Sequence, residues 1–286
     1  MKVVVIGSTG QLGQDLMRAF GEDATGLSHQ DLDVTDGGSV ASATRSLQPD
    51  WVINTAAFHR VDDCETNPTL AFAVNALGAL NVARAAAQVK AGVVFISTDY
   101  VFGGEIRQRW HPFTERDNPK PLNVYGVSKL AGEQLVMQSN PRHIVVRSGG
   151  LYGKATSRKG WTFPELMLNN ARAEGVVRVV DDQATSPTFT FDLARKINQL
   201  MNEGTLGLFH LTNSGECSWF EFAEAVFELA GMTVRMERIQ TQQTERHARR
   251  PAYSVLASER LSELGLTPMR PWKDALKNYL QIKDAL

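Results

Sequence analysis

The chain has 286 residues, 43% of them apolar and 21% charged, with 30 basic side chains against 31 acidic and a formal net charge of -1. That length supports a full enzyme core in one large domain or two small ones. The charge balance leaves no global field for a polyanion, so no nucleic acid and no anionic membrane surface is expected as the main partner.

The first residues run from Met1 and Lys2 through four apolar positions straight into glycine, too short an apolar run for a secretory signal. Stretches such as Val3 to Ile6 and Val93 to Ile96 are strand-length, short of the roughly 20 residues of a membrane helix. Cys64 and Cys217 stand far apart without CxxC or His-rich spacing, so neither a disulfide framework nor a zinc site is expected. A cytoplasmic location follows as the expectation.

In chain order, Lys2 to Ile6 is the first predicted strand, and Leu12, Leu16, Ala19 and Phe20 recur at helical spacing behind it. Thr25 to Ser28 is the second strand and Trp51 to Asn54 the third. An alanine-rich helix follows over about Leu70 to Val89, then a strand over Val93 to Ser97, a helix from Tyr125 to about Met137, and a strand over Ile144 to Arg147. This alternation predicts an α/β fold, a doubly wound parallel sheet of Rossmann type over residues 1–147.

Beyond Arg147 the rhythm shortens, with a glycine- and lysine-rich loop from Gly153 to Gly160. Residues 148–286 are expected to form a smaller mixed α/β substrate lobe, with some segments returning to the first domain. Val176 to Val180 and Gly207 to Leu211 read as strands. Ser218 to Leu229 reads as a helix with Ser218 as its N-cap, and Pro271 to Leu280 as a final helix.

Gly7-Ser-Thr-Gly10-Gln-Leu-Gly13 follows the first strand and opens the first helix, the context a dinucleotide fingerprint requires. Glycine there permits a tight turn and close approach of a pyrophosphate to a helix N-terminus. Asp33 lies about 20 residues past the last glycine, at the distance of a ribose-binding acid; the alternative is that it caps the next helix. NADPH and NADH both remain open on these residues.

Tyr125-Gly-Val-Ser-Lys129 places a phenol and an ammonium on one helical face. Bringing a phenol from about 10 to near 7 needs roughly 4 kcal/mol. A positive charge about 4 Å away at an effective dielectric near 20 supplies about that. Thr98, at the carboxyl end of its strand, is placed to put a hydroxyl beside the same oxygen.

These stretches, with Ser97-Thr-Asp-Tyr-Val-Phe-Gly103, Pro121 through Glu133, Asp182 through Thr188, Gly207 through Leu211 and Arg249-Arg-Pro-Ala-Tyr-Ser254, resemble the extended short-chain dehydrogenase/reductase family, and within it the dTDP-4-dehydrorhamnose reductase branch. The resemblance covers essentially the whole chain. It implies an NADPH-dependent (or NADH-dependent) reduction of the C4 ketone of a dTDP-linked 4-keto-6-deoxy sugar, with Tyr125 as proton donor, Lys129 also on the nicotinamide ribose, and Thr98 on the carbonyl oxygen.

The same resemblance implies that Gly7, Gly10, Gln11, Leu12 and Gly13 contact the pyrophosphate region, Asp33 and Val34 the adenine end, and Ala56, Ala57 and Phe58 the cofactor after the third strand. Asp99 is expected by the sugar. Gly150 stands where the branch has a tryptophan against the sugar, so Tyr152, Trp161 or another side chain fills that space, or the sugar differs. Asp99-Tyr100 replaces the Asp-Glu pair of related dehydratases, which favours one-step reduction over elimination.

Arg249 and Arg250 suit a diphosphate bidentately, with a solvated loop as the alternative. The carboxylates that hold an inter-subunit magnesium in the branch are not reproduced, so no metal is expected, and a homodimer is left open. His59, His111, His143 and His210 read as surface or packing residues, and Trp219, Phe220 and Phe222 as core. Two rivals remain: reduction of another nucleotide 4-keto sugar or to the C4 epimer, and a non-catalytic NADP-binding regulatory subunit.

Overall fold

The structure, a computed structural model, describes residues 1–104, 111–155, 160–245 and 247–284. Residues 156–159 of the glycine- and lysine-rich loop, and Arg246 shortly before Arg249, lie outside the described residues.

The chain begins β1 (Val3–Ile6), α1 (Gln11–Phe20), β2 (Ala24–Leu27), α2 (Gly37–Leu47), β3 (Trp51–Asn54), α3 (Val61–Thr66), α4 (Pro68–Phe72), α5 (Ala79–Gln88), β4 (Gly92–Ile96), α6 (Val124–Ser139) and β5 (His143–Arg147). It continues β6 (Leu151–Tyr152), α7 (Phe163–Glu174), β7 (Val176–Val180), β8 (Ala184–Thr185), β9 (Thr188–Phe189), α8 (Thr190–Asn202), β10 (Gly207–His210), β11 (Cys217–Ser218), α9 (Trp219–Leu229), β12 (Arg235–Ile239), α10 (Glu259–Glu263) and α11 (Trp272–Asp284).

Six of these strands form one parallel sheet in the order β10-β5-β4-β3-β1-β2. β1, β3, β4 and β5 are almost wholly buried, as a sheet covered on both faces demands of its side chains. On one face Leu12, Leu16 and Phe20 of α1 pack with Leu193, Ile197 and Leu200 of α8. On the other, Val40 of α2, Val82, Ala83 and Ala86 of α5 and Val136 of α6 close the second core.

The predicted helix from Leu70 begins earlier, at Pro68, and is not regular: Ala73–Gly78 is a wide π turn between α4 and α5. Extra turns of this kind let a helix bend around a close neighbour. Here α6 is that neighbour, and a methyl group on its Gly132 would come within 2.3 Å of the Asn75 carbonyl oxygen. By length and composition the span Pro68–Gln88 is apolar enough to cross a membrane, at a mean hydropathy of 1.4, which scanning short apolar stretches overlooks. Half of it is buried against the sheet and α6, so its apolar side is accounted for by the protein core.

α3, α7, α8, α10 and β12 are not anticipated from the sequence, and α2 only as an unbounded helix after Asp33. α2 opens with two glycines and is rich in serine and threonine, which blurs its apolar period. Its N-cap is Asp36, whose carboxylate accepts the amides of Gly38 and Ser39. The other expected elements stand within about two residues of their predicted ends, except the final helix, expected to end at Leu280, which runs on to Asp284.

Residues after β5 build smaller layers: β7 with β12 in parallel, β8 with β11 antiparallel, and β6 with β9 in parallel. An aromatic cluster of Tyr152, Phe189, Phe222, Trp272 and Tyr279 fills their centre. β10 and α8 instead return to the parallel sheet.

Ser218 caps α9 as predicted: its Oγ accepts the Glu221 amide at 3.1 Å, and the Glu221 carboxylate accepts the Ser218 amide at 2.8 Å. Ser218→Ala is expected to cost about 1 kcal/mol, a fall of roughly 2–4 °C in the thermal midpoint by scanning calorimetry.

Candidate active site

The glycine loop and the segment after β3 flank the point where the chain order reverses across the sheet, the crevice in which such sheets bind ligands. The amides of Gly7 and Ser8 both donate to the Leu27 carbonyl, at 2.8 and 3.1 Å, and the Gly10 amide donates to Gly7 at 2.9 Å. This folds the loop tightly against the end of β2. A methyl group on Gly13 would lie 2.2 Å from the Gly7 carbonyl oxygen, so only glycine permits this packing.

No side chain caps α1, and its first turn carries no acid, so its amides and partial positive charge are left to a ligand. Gln11 Nε2 is buried without a hydrogen-bond partner in the same cradle. An uncapped helix start, a glycine-lined turn and an unspent amide donor fit the pyrophosphate of a dinucleotide. Leu12 is packed in the core, so it offers such a ligand its main chain only.

Ala56, Ala57 and Phe58 are half-buried at the end of β3. Asn75 fixes this segment by accepting the Phe58 amide at 2.8 Å and donating to its carbonyl at 3.0 Å. The same amide donates to Ser128 Oγ at 3.0 Å, and Ser128 donates to the Tyr125 carbonyl at 2.8 Å, which joins the segment to α6. Asp33 is exposed and does not cap α2. Its carboxylate accepts the amide and hydroxyl of Thr35, which hold it below the usual range. The Val34 side chain is buried against Gly78 and the second core.

Thr98 and Asp99 follow β4 directly. Thr98 Oγ1 accepts the Tyr100 amide at 3.2 Å and donates to Asp99 Oδ1 at 3.1 Å, and its hydroxyl is close enough to the Tyr125 phenol to pull that group's titration down. Asp99, expected beside the sugar, is buried, and its other carboxylate oxygen accepts Ser254 Oγ at 2.6 Å. Burial pushes it up to about 6 against the pull of those two hydrogen bonds.

Tyr125 and Lys129 emerge from the first turns of α6, whose N-cap Asn123 accepts the Gly126 amide at 2.8 Å and donates to the Arg249 carbonyl at 2.9 Å. The Tyr125 ring stands edge-on to Tyr100, with centroids 6.1 Å apart. Its phenol is shifted upward, first by burial and then by the charge of Asp99, against the pull of Thr98. The expectation that lysine draws it toward neutrality fails in the protein alone. Lys129 is 1% exposed, with Nζ 4.0 Å from the Phe95 ring centroid. Burial brings its own value down to about 7, with Glu133 pulling the other way. A base that is half discharged near neutrality cannot lend its neighbour a full positive charge.

Sequence reasoning missed what lies behind Lys129. Glu133 accepts Arg147 Nε at 2.9 Å and Nη2 at 2.7 Å, and Ser97 Oγ at 2.5 Å. Arg147 also stacks 5.1 Å from the Phe102 centroid and reaches His210 Nε2 at 3.4 Å. His210 Nδ1 faces the Phe113 and Ala257 carbonyls at 3.0 and 3.1 Å, and burial drops the ring to about 4, so it is neutral, an Nδ1–H tautomer. Glu133 and Arg147 lie inside recognised motifs, but no spacing pairs residues 14 apart on a helix and a strand. His210, read as packing, is buried yet belongs to this polar network.

Beside Tyr100, Arg250 Nη2 donates to Asp62 at 2.7 Å while Nη1 is buried without a partner. Its guanidinium stands 5.9 Å from the Tyr100 ring centroid. Arg249 is exposed. Gly150 adopts φ +57°, and a methyl group there would meet Pro187 Cα at 3.0 Å, so this position cannot carry an aromatic wall without strain. Tyr152 does not fill the space, being sealed in the aromatic core, and Trp161 is half exposed.

The chain is 40% identical to the dTDP-4-dehydrorhamnose reductase of Mycobacterium tuberculosis, covering 98% of this chain and 92% of that protein. It superposes on the crystal structure of a dTDP-4-dehydrorhamnose reductase from Clostridium acetobutylicum with a TM-score of 0.94 at 38% identity, over 99% of this chain and all of that one. The same enzyme from Bacillus anthracis, solved in complex with NADP, gives 0.93 at 36% identity, over 99% and 100% of the two chains. Family description and fold agree with the crevice geometry: matched from residue 1 to residue 284, the chain belongs to the family described as RmlD substrate binding domain.

Proposed function

We propose that the protein reduces the C4 ketone of a dTDP-linked 4-keto-6-deoxy-L-hexose, with dTDP-4-dehydro-L-rhamnose as substrate and NADPH as reductant, NADH serving as an alternative. The observation that carries this reading is the meeting of Thr98 and the Tyr125 phenol at the carboxyl edge of the sheet, in the same crevice as the uncapped glycine loop. Relatives named for that reaction, and one solved with NADP, support it.

When bound, the nicotinamide supplies the hydride. Tyr125 holds the proton that the C4 oxygen takes up, and the upward shift of its phenol keeps that proton in place through the neutral range. Lys129 then faces the tyrosinate left behind, one helical turn away, and its ammonium is the charge that offsets it. The same ammonium holds the nicotinamide ribose. Thr98 aligns the phenol, Gln11 and the first amides of α1 take the pyrophosphate, and Arg250 presents its unspent Nη1 to the nucleotide diphosphate of the sugar.

Tyr100 stands where elimination would require a second carboxylate, so proton transfer from Tyr125 completes a one-step reduction. Gly150 supports one further reading, that the pocket takes a different 4-keto sugar or yields the C4 epimer, because the wall beside it is backbone.

NADPH oxidation followed at 340 nm with a panel of dTDP- and GDP-linked 4-keto sugars tests the assignment, and NMR of the product separates the epimers. No oxidation with any of them would favour a regulatory NADP-binding subunit. Gly13→Val is expected to abolish NADPH binding, read by nucleotide fluorescence, because its side chain has no room beside Gly7. Tyr125→Phe is expected to lower kcat by about 10²–10⁴-fold with NADPH affinity unchanged; undiminished turnover would remove the tyrosine from the mechanism.

Lys129 carries a stability cost with a definite pH dependence. Its value falls from 10.5 to about 7 on folding, so between those limits the unfolded chain binds a proton that the folded chain does not. The cost is complete below pH 7 and disappears as pH rises through the unfolded value. Lys129→Met should therefore raise the thermal midpoint by about 3 °C or more at pH 6, by much less at pH 9.5, and should lose turnover at both.

A further inference from the structure

Lys129 is buried on the inner face of α6 with its ammonium over the Phe95 ring, and Glu133 lies one turn further along the same face. An unpaired carboxylate at that place would bind the ammonium as a permanent counter-ion. Glu133 is not unpaired. Arg147 holds both of its oxygens from β5, Ser97 holds one from the end of β4, and the pair is 0% and 3% exposed. Behind Arg147 stand the neutral His210 and the Phe102 ring, and the Glu115 carboxylate accepts the His210 backbone amide at 2.9 Å. Glu133 from α6 and Phe95 from β4 act on Lys129, with Tyr125 one turn before it on the same helix; Asp99, from the loop after β4, acts on Tyr125.

We infer that Arg147 and Glu133 are positioning residues for the proton transfer: Arg147 neutralises Glu133, and this leaves the charge of Lys129 free for the tyrosinate and the cofactor rather than locked in a protein ion pair. The pair is a charge switch for Lys129 built into the sheet edge, and it rests on the reductase reading above. A purely structural ion pair inside a protein is commonly neutral or costly relative to apolar packing, so its presence beside the site has to be explained by something other than stability.

The charge of Lys129 sets the alkaline limb of kcat, because turnover falls as the ammonium discharges. In Arg147→Gln the bare Glu133 carboxylate holds the proton on Lys129, and the limb moves up by about one pH unit. In Glu133→Gln the unpaired guanidinium repels it, and the limb moves down. The double variant E133Q/R147Q carries no net change of charge, and its limb returns to that of the wild type. NADPH fluorescence and thermal melts establish that each variant is folded.

Should Arg147→Gln fail to fold, the downward shift in Glu133→Gln and its reversal in the double variant decide the matter alone. Limbs that coincide in all variants, shifts of the same sign, or a wild type with no alkaline limb would overturn the inference while leaving the reductase standing. Absence of turnover in the wild type would overturn the reductase reading and this inference with it.

Discussion

A sheet whose strands all run the same way gathers every carboxyl end on one edge, and almost everything functional in this protein depends on that constraint. The six strands from β2 to β10 deliver the glycine loop, the Ala56 to Phe58 segment, Thr98 and Arg147 to a single line. Each crossover helix must then begin on the same side. That is why α1 offers its amides and α6 offers Tyr125 at its first turn. The reversal of strand order between β1 and β3 opens the crevice between these two starts.

Polar groups at that edge are held by partners rather than left to solvent. Asn75 ties the segment after β3 to α6 through Phe58 and Ser128, so the cofactor side and the phenol side of the crevice share one hydrogen-bonded frame. Asp99 joins Thr98 to Ser254, and Asn123 joins the start of α6 to Arg249. Two links thus run from this edge to the segment that carries Arg250, whose guanidinium stands beside Tyr100. The low dielectric of this region raises the phenol and lowers the ammonium together. The pair becomes mutually useful only when a charge develops between them.

Gly150 is where this chain departs from the pattern it resembles. Gly150 is held in the left-handed region with Pro187 against it, and the aromatic residues nearby in sequence are committed elsewhere: Tyr152 to a buried cluster, Trp161 to a half-exposed position. Asp62 from α3, Tyr100 from the turn after β4 and Arg250 form a cluster assembled from three distant parts of the chain.

Much of the candidate site's geometry was legible in the sequence, because its parts are local. A glycine turn after a β-branched strand, a hydroxyl at a strand end and YxxxK on one helical face each follow from a spacing of a few residues, and so do the N-cap of α9 and the parallel alternation of residues 1–147. Tertiary structure alone decided the rest, each time because the chain returns from far away. The ion pair of Glu133 with Arg147 needs α6 to lie over β5. The direction of the Tyr125 shift depends on burial that no window of sequence measures, and which late segments rejoin the sheet, β10 and α8, depends on contacts across some 50 intervening residues. Local spacing sets which groups a segment can present; the dielectric, the partners and the backbone angle each group meets are properties of the assembled fold.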